Sequence, residues 1–140
     1  MTPSVLLRLQ TVAECFRDAA YIYLHSILER IPSCQPSLYL ISISKQEALQ
    51  RCLSRIETFH IDPEYCEYSA LTFPLFIAGC ECQTTTERGL VLETLGALER
   101  NFGIGNVTRA KEILNVLWNE NGEAHWLDVL ERLKWDVILA

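Results

Sequence analysis

The sequence has no clustered lysines and arginines, no two sets of closely spaced cysteines, and no uncharged run long enough to cross a bilayer. Each absence excludes a class of function. Arg8, Arg17, Arg30, Arg51, Arg55, Arg100, Arg109 and Lys111 stand singly, and the formal net charge is -6. Phosphate neutralisation needs a concentrated basic surface, so direct nucleic-acid binding by this chain is not expected. Of the six cysteines, only Cys80 and Cys82 are close neighbours. A structural zinc site wants two such sets, so the expectation is reduced, packed thiols and no metal. A membrane helix needs roughly 20 apolar residues, and no such stretch occurs. The opening Met1-Thr2-Pro3-Ser4-Val5-Leu6-Leu7-Arg8 breaks to charge before an apolar leader core is complete, which predicts no secretory leader.

Catalytic signatures are missing as well. His25, His60 and His125 lack ligand spacing, and no nucleophile elbow, phosphate loop or deaminase signature is present. Gly103-Ile104-Gly105 has neither a third glycine nor a preceding strand, so a helix C-cap followed by an N-cap is the expectation. Asn106-Val107-Thr108 fits a glycosylation acceptor and is expected to serve only as a cap. Asp62, Glu64 and Glu67 read as a solvated turn beside Pro63, and His25 as a satisfied core histidine. Glu81 and Arg88 flank one loop and are expected to pair or cap across it. No catalytic, cofactor-binding or metal-binding residue is assigned, and an enzyme is not expected.

What is present is helix. With 140 residues and 49% apolar content, the chain suffices for one domain with a real core. The run Leu71-Thr72-Phe73-Pro74-Leu75-Phe76-Ile77-Ala78-Gly79 is apolar on nearly every side, so it predicts a buried central helix over Thr72–Cys82. Pro74 suits the first turn of a helix starting near Thr72, or else kinks one that began earlier. Around this run, Ser4–Ile31 reads as one long helix, or two joined end to end, carrying Val5, Leu9, Val12, Phe16, Ala20, Tyr23 and Ile27 on one face, stopped by Pro32. Leu38–Ile43 has strand propensity but no partner strand, which favours an extended apolar linker or helix.

Ser44-Lys45-Gln46-Glu47 is a capping-box pattern opening a helix with Ala48, Leu49, Cys52, Leu53, Ile56 and Phe59 inward. Thr84-Thr85-Thr86-Glu87 is a second, before a helix burying Val91, Leu95, Leu98 and Phe102. A helix capped by Asn106 follows, burying Ala110, Ile113, Leu114 and Leu117, with Trp118 on that face or at its edge. The last helix, about Ala124 to Lys134, buries Trp126, Val129, Leu130 and Leu133, and the apolar tail Trp135–Ala140 is expected to dock on the body. The expected fold is all-α, about six helices in an irregular bundle around the central one, in a single domain over residues 1–140.

The string Leu71-Thr72-Phe73-Pro74-Leu75-Phe76-Ile77-Ala78-Gly79-Cys80-Glu81 closely resembles a stretch of the fungal-specific transcription factor domain. That is the helical regulatory region of fungal zinc binuclear cluster regulators. Ala19–His25, Arg88, Gly105-Asn106-Val107, Ala110, Ile113-Leu114, Trp118 and Trp126 follow in the family's order, so the likeness resembles the C-terminal part of that domain. The resemblance implies a non-catalytic regulatory domain in a nuclear protein. Its partners would be proteins, through self-association or co-regulators, or a small apolar effector. The family's six-cysteine cluster and basic flank are absent from these residues, which implies a piece or truncated form of a longer regulator. A stand-alone helical adaptor or lipid carrier is the alternative. Loss of upstream packing partners would leave part of the Val5–Ile31 face exposed and prone to self-association.

Overall fold

The computed structural model describes residues 3–30, 43–119 and 125–132. Six α-helices follow in order: α1 (Pro3–Glu29), α2 (Lys45–Thr58), α3 (Thr72–Glu81), α4 (Thr85–Phe102), α5 (Asn106–Trp118) and α6 (Trp126–Arg132). A 3-10 helix, Cys66–Leu71, leads into α3. No strand occurs among the described residues, so the all-α expectation holds. The possible strand at Leu38–Ile43 falls outside the described residues except for Ile43, which is buried. Pro32, Leu133 and the apolar tail also lie outside them.

The central helix forms where its composition requires. Thr72, Pro74, Leu75, Phe76, Ile77, Ala78 and Gly79 are all buried, so both sides of α3 face protein. It packs against α1, α2, α4 and α5. Pro74 is the third residue of α3, where a missing amide proton leaves no helical bond unmade. Gly79 allows the closest approach. A Cβ there would lie 2.9 Å from both methyl carbons of Leu114 and 3.2 Å from Val91 Cγ1, so α5 and α4 pack directly on the α3 backbone.

The flanking helices start and stop much as their end residues dictate. Thr84 and Glu87 form the reciprocal capping box at the head of α4, and Gly103 ends that helix in the left-handed region at φ 63°. Ser44 accepts the Glu47 amide at 3.1 Å, but the second half of the expected box is not made. The Glu47 carboxylate lies instead 3.5 Å from Arg51, one turn on. At α5 the capping position belongs to Gly105, and Asn106 is the first helical residue, so the expected Asn106 cap is corrected. With no side-chain cap there, an Ile104 carbonyl to Val107 amide bond of 3.3 Å closes the turn.

The periodic face expected on α1 divides. Its core residues are Val12, Cys15, Ala19 and Ile22, whereas Leu9, Phe16 and Ala20 face outward. Helix α1 therefore has two apolar faces, and steps of three and four alone do not say which one the bundle uses. The core face also buries a carboxylate. Asp18 is fully buried against Arg55 of α2, whose guanidinium also meets Glu14 at 2.9 Å. Burial pushes the Asp18 carboxyl up, against the pull of Arg55.

Replacing Gly79 by valine should cost about 1–3 kcal/mol by overpacking. Urea denaturation checks this, and adding Leu114→Ala should recover part of the loss by vacating the space that the new side chain needs.

Candidate functional site

Where α3 ends, its last carbonyls have no intrahelical donors, and they lie inside the protein. Three neighbours supply donors. The Trp118 indole Nε1 donates to the Gly79 carbonyl at 3.0 Å, shared with the Cys82 amide at 3.2 Å. The Cys82 thiol donates to the Ala78 carbonyl at 3.3 Å. Arg88 Nε donates to the Cys82 carbonyl at 3.3 Å, with its guanidinium 5.3 Å from the Trp118 ring centre. Arg88 thus caps across the loop as expected, but it does not pair with Glu81.

Glu81 turns the other way and gathers three further elements. Its Oε1 accepts from Trp126 Nε1 of α6 at 2.7 Å and from the Ser26 hydroxyl of α1 at 3.1 Å. Its Oε2 lies 3.3 Å from Lys45 Nζ at the head of α2. Lys45 also meets Glu29 at 2.8 Å, and His125 Nε2 lies 3.4 Å from the same carboxylate. The Leu127 amide donates to His125 Nδ1 at 3.2 Å, which leaves Nε2 on the side toward Glu29. Burial pushes the Glu29 carboxyl up, but the Lys45 hydrogen bond and charge, with His125, outweigh it and hold Glu29 below the ordinary range. One carboxylate in an otherwise apolar run thereby ties α1, α2 and α6 to the central helix.

A cleft of about 190 Å³ opens beside this cluster, lined by Lys45, Glu81, Arg88, Trp118, His125 and Trp126. That is below the roughly 300–1,000 Å³ of small-molecule sites. A second cleft, about 570 Å³, lies between the end of α2 and α4, where Phe59, Leu90 and Ala97 share the wall with Glu57, Glu93 and Arg100.

The other expected residues fall apart in space or into the core. His25 Nε2 lies 2.7 Å from the Ile43 carbonyl and is buried, a satisfied core histidine. Asp62 accepts the Glu64 amide at 2.9 Å in a tight turn. Glu67 pairs with Arg8 of α1 at 3.1 Å, so the three carboxylates do not converge on one task. Among the described residues no His, Cys, Asp and Glu group has metal-site geometry. Cys82 is buried, and burial pushes its thiol up to about 12. No helix among the described residues is long and apolar enough to cross a membrane.

Among the described residues, the outer face of α1 carries a row of exposed apolar side chains. Leu6, Leu9, Phe16 and Leu24 are 60%, 40%, 37% and 44% exposed, and Ala13 and Ala20 between them are exposed too. Sequence periodicity picked out three of these residues, Leu9, Phe16 and Ala20, but gave no sign of which would meet solvent. Lys45, Ser26 and Trp126 had no signal for meeting Glu81 beyond the rule that an acid in an apolar run needs partners.

The described residues form an all-α bundle built round this central helix, with an exposed apolar face on α1. The family model described as "Fungal specific transcription factor domain" matches residues 2–140, and the chain belongs to that family. It is similar to "Transcription factor iacI" of Pestalotiopsis fici, 25% identical over 68 residues, which is 49% of this chain and 18% of that protein. It is also similar to the "Uncharacterized transcriptional regulatory protein C965.10" of Schizosaccharomyces pombe, 23% identical over 124 residues, 86% of this chain and 22% of that protein. The chain thus spans about a fifth of the length of these relatives. No solved structure matches it significantly.

Two substitutions probe the cluster. Glu81→Ala strips the acceptor from buried donors and should cost about 1.5–3 kcal/mol, whereas Glu81→Gln, which keeps an oxygen for Trp126 and Ser26, should cost about 1 kcal/mol. Hydrogen exchange should quicken first in α6, with α4 and α5 still protected.

The pH dependence has a definite sign. Glu29 and Glu67 have lowered folded-state pKa values, so their stabilisation is present above the ordinary carboxylate pKa and is lost as pH falls below it. Asp18 has a raised value, so its burial costs stability when ionised, and acid relieves that cost. Below about pH 4.5 the urea midpoint should fall as the pH is lowered. The fall should be shallower in Glu29→Gln and steeper in Asp18→Asn.

Proposed function

We propose that this chain is a non-catalytic regulatory module of a fungal transcription regulator, acting in the nucleus through contacts with protein. The observation that carries this reading is the outer face of α1, an apolar surface five turns long on a chain whose family and relatives are transcriptional. The greater length of the relatives supports reading it as one part of a longer regulator, with zinc-cluster DNA recognition elsewhere. The net charge of -6 supports the same division of labour, since these residues offer phosphate little. Protein contact is favoured over a small apolar effector. The larger cleft carries Glu57, Glu93 and Arg100 on its wall, and the smaller has a lysine, an arginine and a glutamate.

Fusion to an unrelated DNA-binding domain tests the reading in a yeast reporter strain. The fusion should change reporter output several-fold against the DNA-binding domain alone, in either direction. Leu9→Glu with Leu24→Glu, both on the outer face, should abolish the change while leaving the helical circular dichroism intact. Output equal to the bare DNA-binding domain would refute the proposal.

A further inference from the structure

We infer that the outer face of α1 is a homodimer surface, on which a second copy of this chain packs its own α1 antiparallel. This rests on the proposal that the chain works through protein contact, and it names the partner. Leu6, Leu9, Ala13, Phe16 and Ala20 recur at alternating steps of three and four, the spacing of a coiled-coil seam. All five are exposed, so the seam is complete and open.

The order of sizes along the seam selects the arrangement. With a two-fold axis passing between positions 14 and 15, Leu9 lies opposite Ala20 of the second copy, and Ala13 opposite its Phe16. In these two layers each large side chain meets a small one, and the two-fold repeats each contact, as in a closed, isologous interface. Leu6 then faces Tyr23 of the second copy, which is half-buried against Trp126 with ring centres 6.3 Å apart. A parallel pairing would set Phe16 on Phe16 and Ala20 on Ala20, crowding one layer and leaving the next hollow. Antiparallel helices also oppose their macrodipoles.

Charge points to the same face and the same partner. Two copies with a net charge of -6 repel wherever their carboxylates meet. On α1 the carboxylates are Glu14, Asp18 and Glu29, and none lies on the seam. Glu14 and Asp18 turn to Arg55, and Glu29 to Lys45. Beside the seam stand only Gln10 and Arg17, and in the antiparallel register Arg17 comes near Gln10 of the second copy rather than another Arg17.

The area sets the strength. The 27-residue helix is about 40 Å long and about 10 Å wide, which gives roughly 400 Å² per copy and 800 Å² for the pair. Stable interfaces bury about 1,200–2,000 Å², so this dimer belongs with the weak, reversible ones. It should form at micromolar concentrations and above.

Analytical ultracentrifugation of the whole chain over a concentration series is the test. The mass should rise reversibly from 16.0 kDa toward twice that value. Ala20→Glu, at an exposed position, should return it to monomer with unchanged circular dichroism. A cysteine scan then reads the register, in a background with Cys34 and Cys66 replaced by serine. Two copies of position 13 are offset by about 4.5 Å along the axis, and two copies of position 6 by about 26 Å. Ala13→Cys should therefore couple to itself through a short bismaleimide, and Leu6→Cys should not. A monomer at every concentration overturns the inference, as does a dimer that survives Ala20→Glu. Coupling at both positions, or at neither, also overturns it. A monomer that still acts in the reporter assay would leave the proposed function standing and give this face to a different protein.

Discussion

A ten-residue helix that is apolar on every side must be buried whole, and then its terminal carbonyls are buried with it. Unpaired backbone acceptors cost about 1–3 kcal/mol each, which is comparable to what a buried leucine contributes. The bundle is arranged around meeting that demand at the end of α3. The Trp118 indole, the Cys82 amide and thiol, and the Arg88 guanidinium each supply a donor there. They come from α5, α4 and the turn between α3 and α4, so satisfying one helix end fixes how three segments meet. Gly79 belongs to the same solution. A side chain at that position would push Leu114 away, and Trp118, one turn further along α5, would lose its reach to the Gly79 carbonyl.

The side of α3 facing α1 and α6 is closed by charge. Glu81 follows the buried run directly, and its carboxylate is the only acceptor that Trp126, Ser26 and Lys45 have in common. The seven described residues of α6 are joined to the body by such ties. Arg30 adds two more, to Asp128 at 2.6 Å and Glu131 at 3.2 Å, at a more exposed and weaker site. The C-terminal end of α1 therefore carries α6 on one side and the Glu81 cluster on another. Its middle meets α2 through Asp18 and Arg55.

Much of this was legible wherever a residue's own chemistry decides local structure. Pro74 marked a helix beginning near Thr72, and the box at Thr84 and the glycine at 103 marked where α4 starts and stops. The family string from Leu71 to Glu81 fell on the central helix. Geometry between distant residues was not legible. Glu81 was visible as an acid needing partners, yet Ser26, Lys45 and Trp126 lie 55, 36 and 45 positions away, and nothing local points to them. Asn106 misled because a good capping residue stands one position past the cap, where a glycine turn had already begun the helix. On α1 the expected face is partly exposed, at Leu9, Phe16 and Ala20, but the period did not say which residues would be, because two apolar faces share one helix and only packing chooses between them.

That double face separates α1 from its neighbours. The outward positions of α2 are Gln46, Glu47, Gln50, Arg51, Ser54, Glu57 and Thr58, the polar back expected of a helix whose work is all done on one side. Helix α1 has a comparable core face, with Val12, Cys15, Ala19 and Ile22 buried, yet Leu6, Leu9 and Leu24 stand exposed outside it. Isolated exposed leucines are ordinary, but a contiguous row of them on one helix is not. Phe16 also stacks on Phe73 of the central helix with ring centres 5.9 Å apart, so the row is continuous with the core rather than a loose fringe. A row of exposed apolar side chains joined to the central helix through Phe16 is what packing within the described residues does not account for.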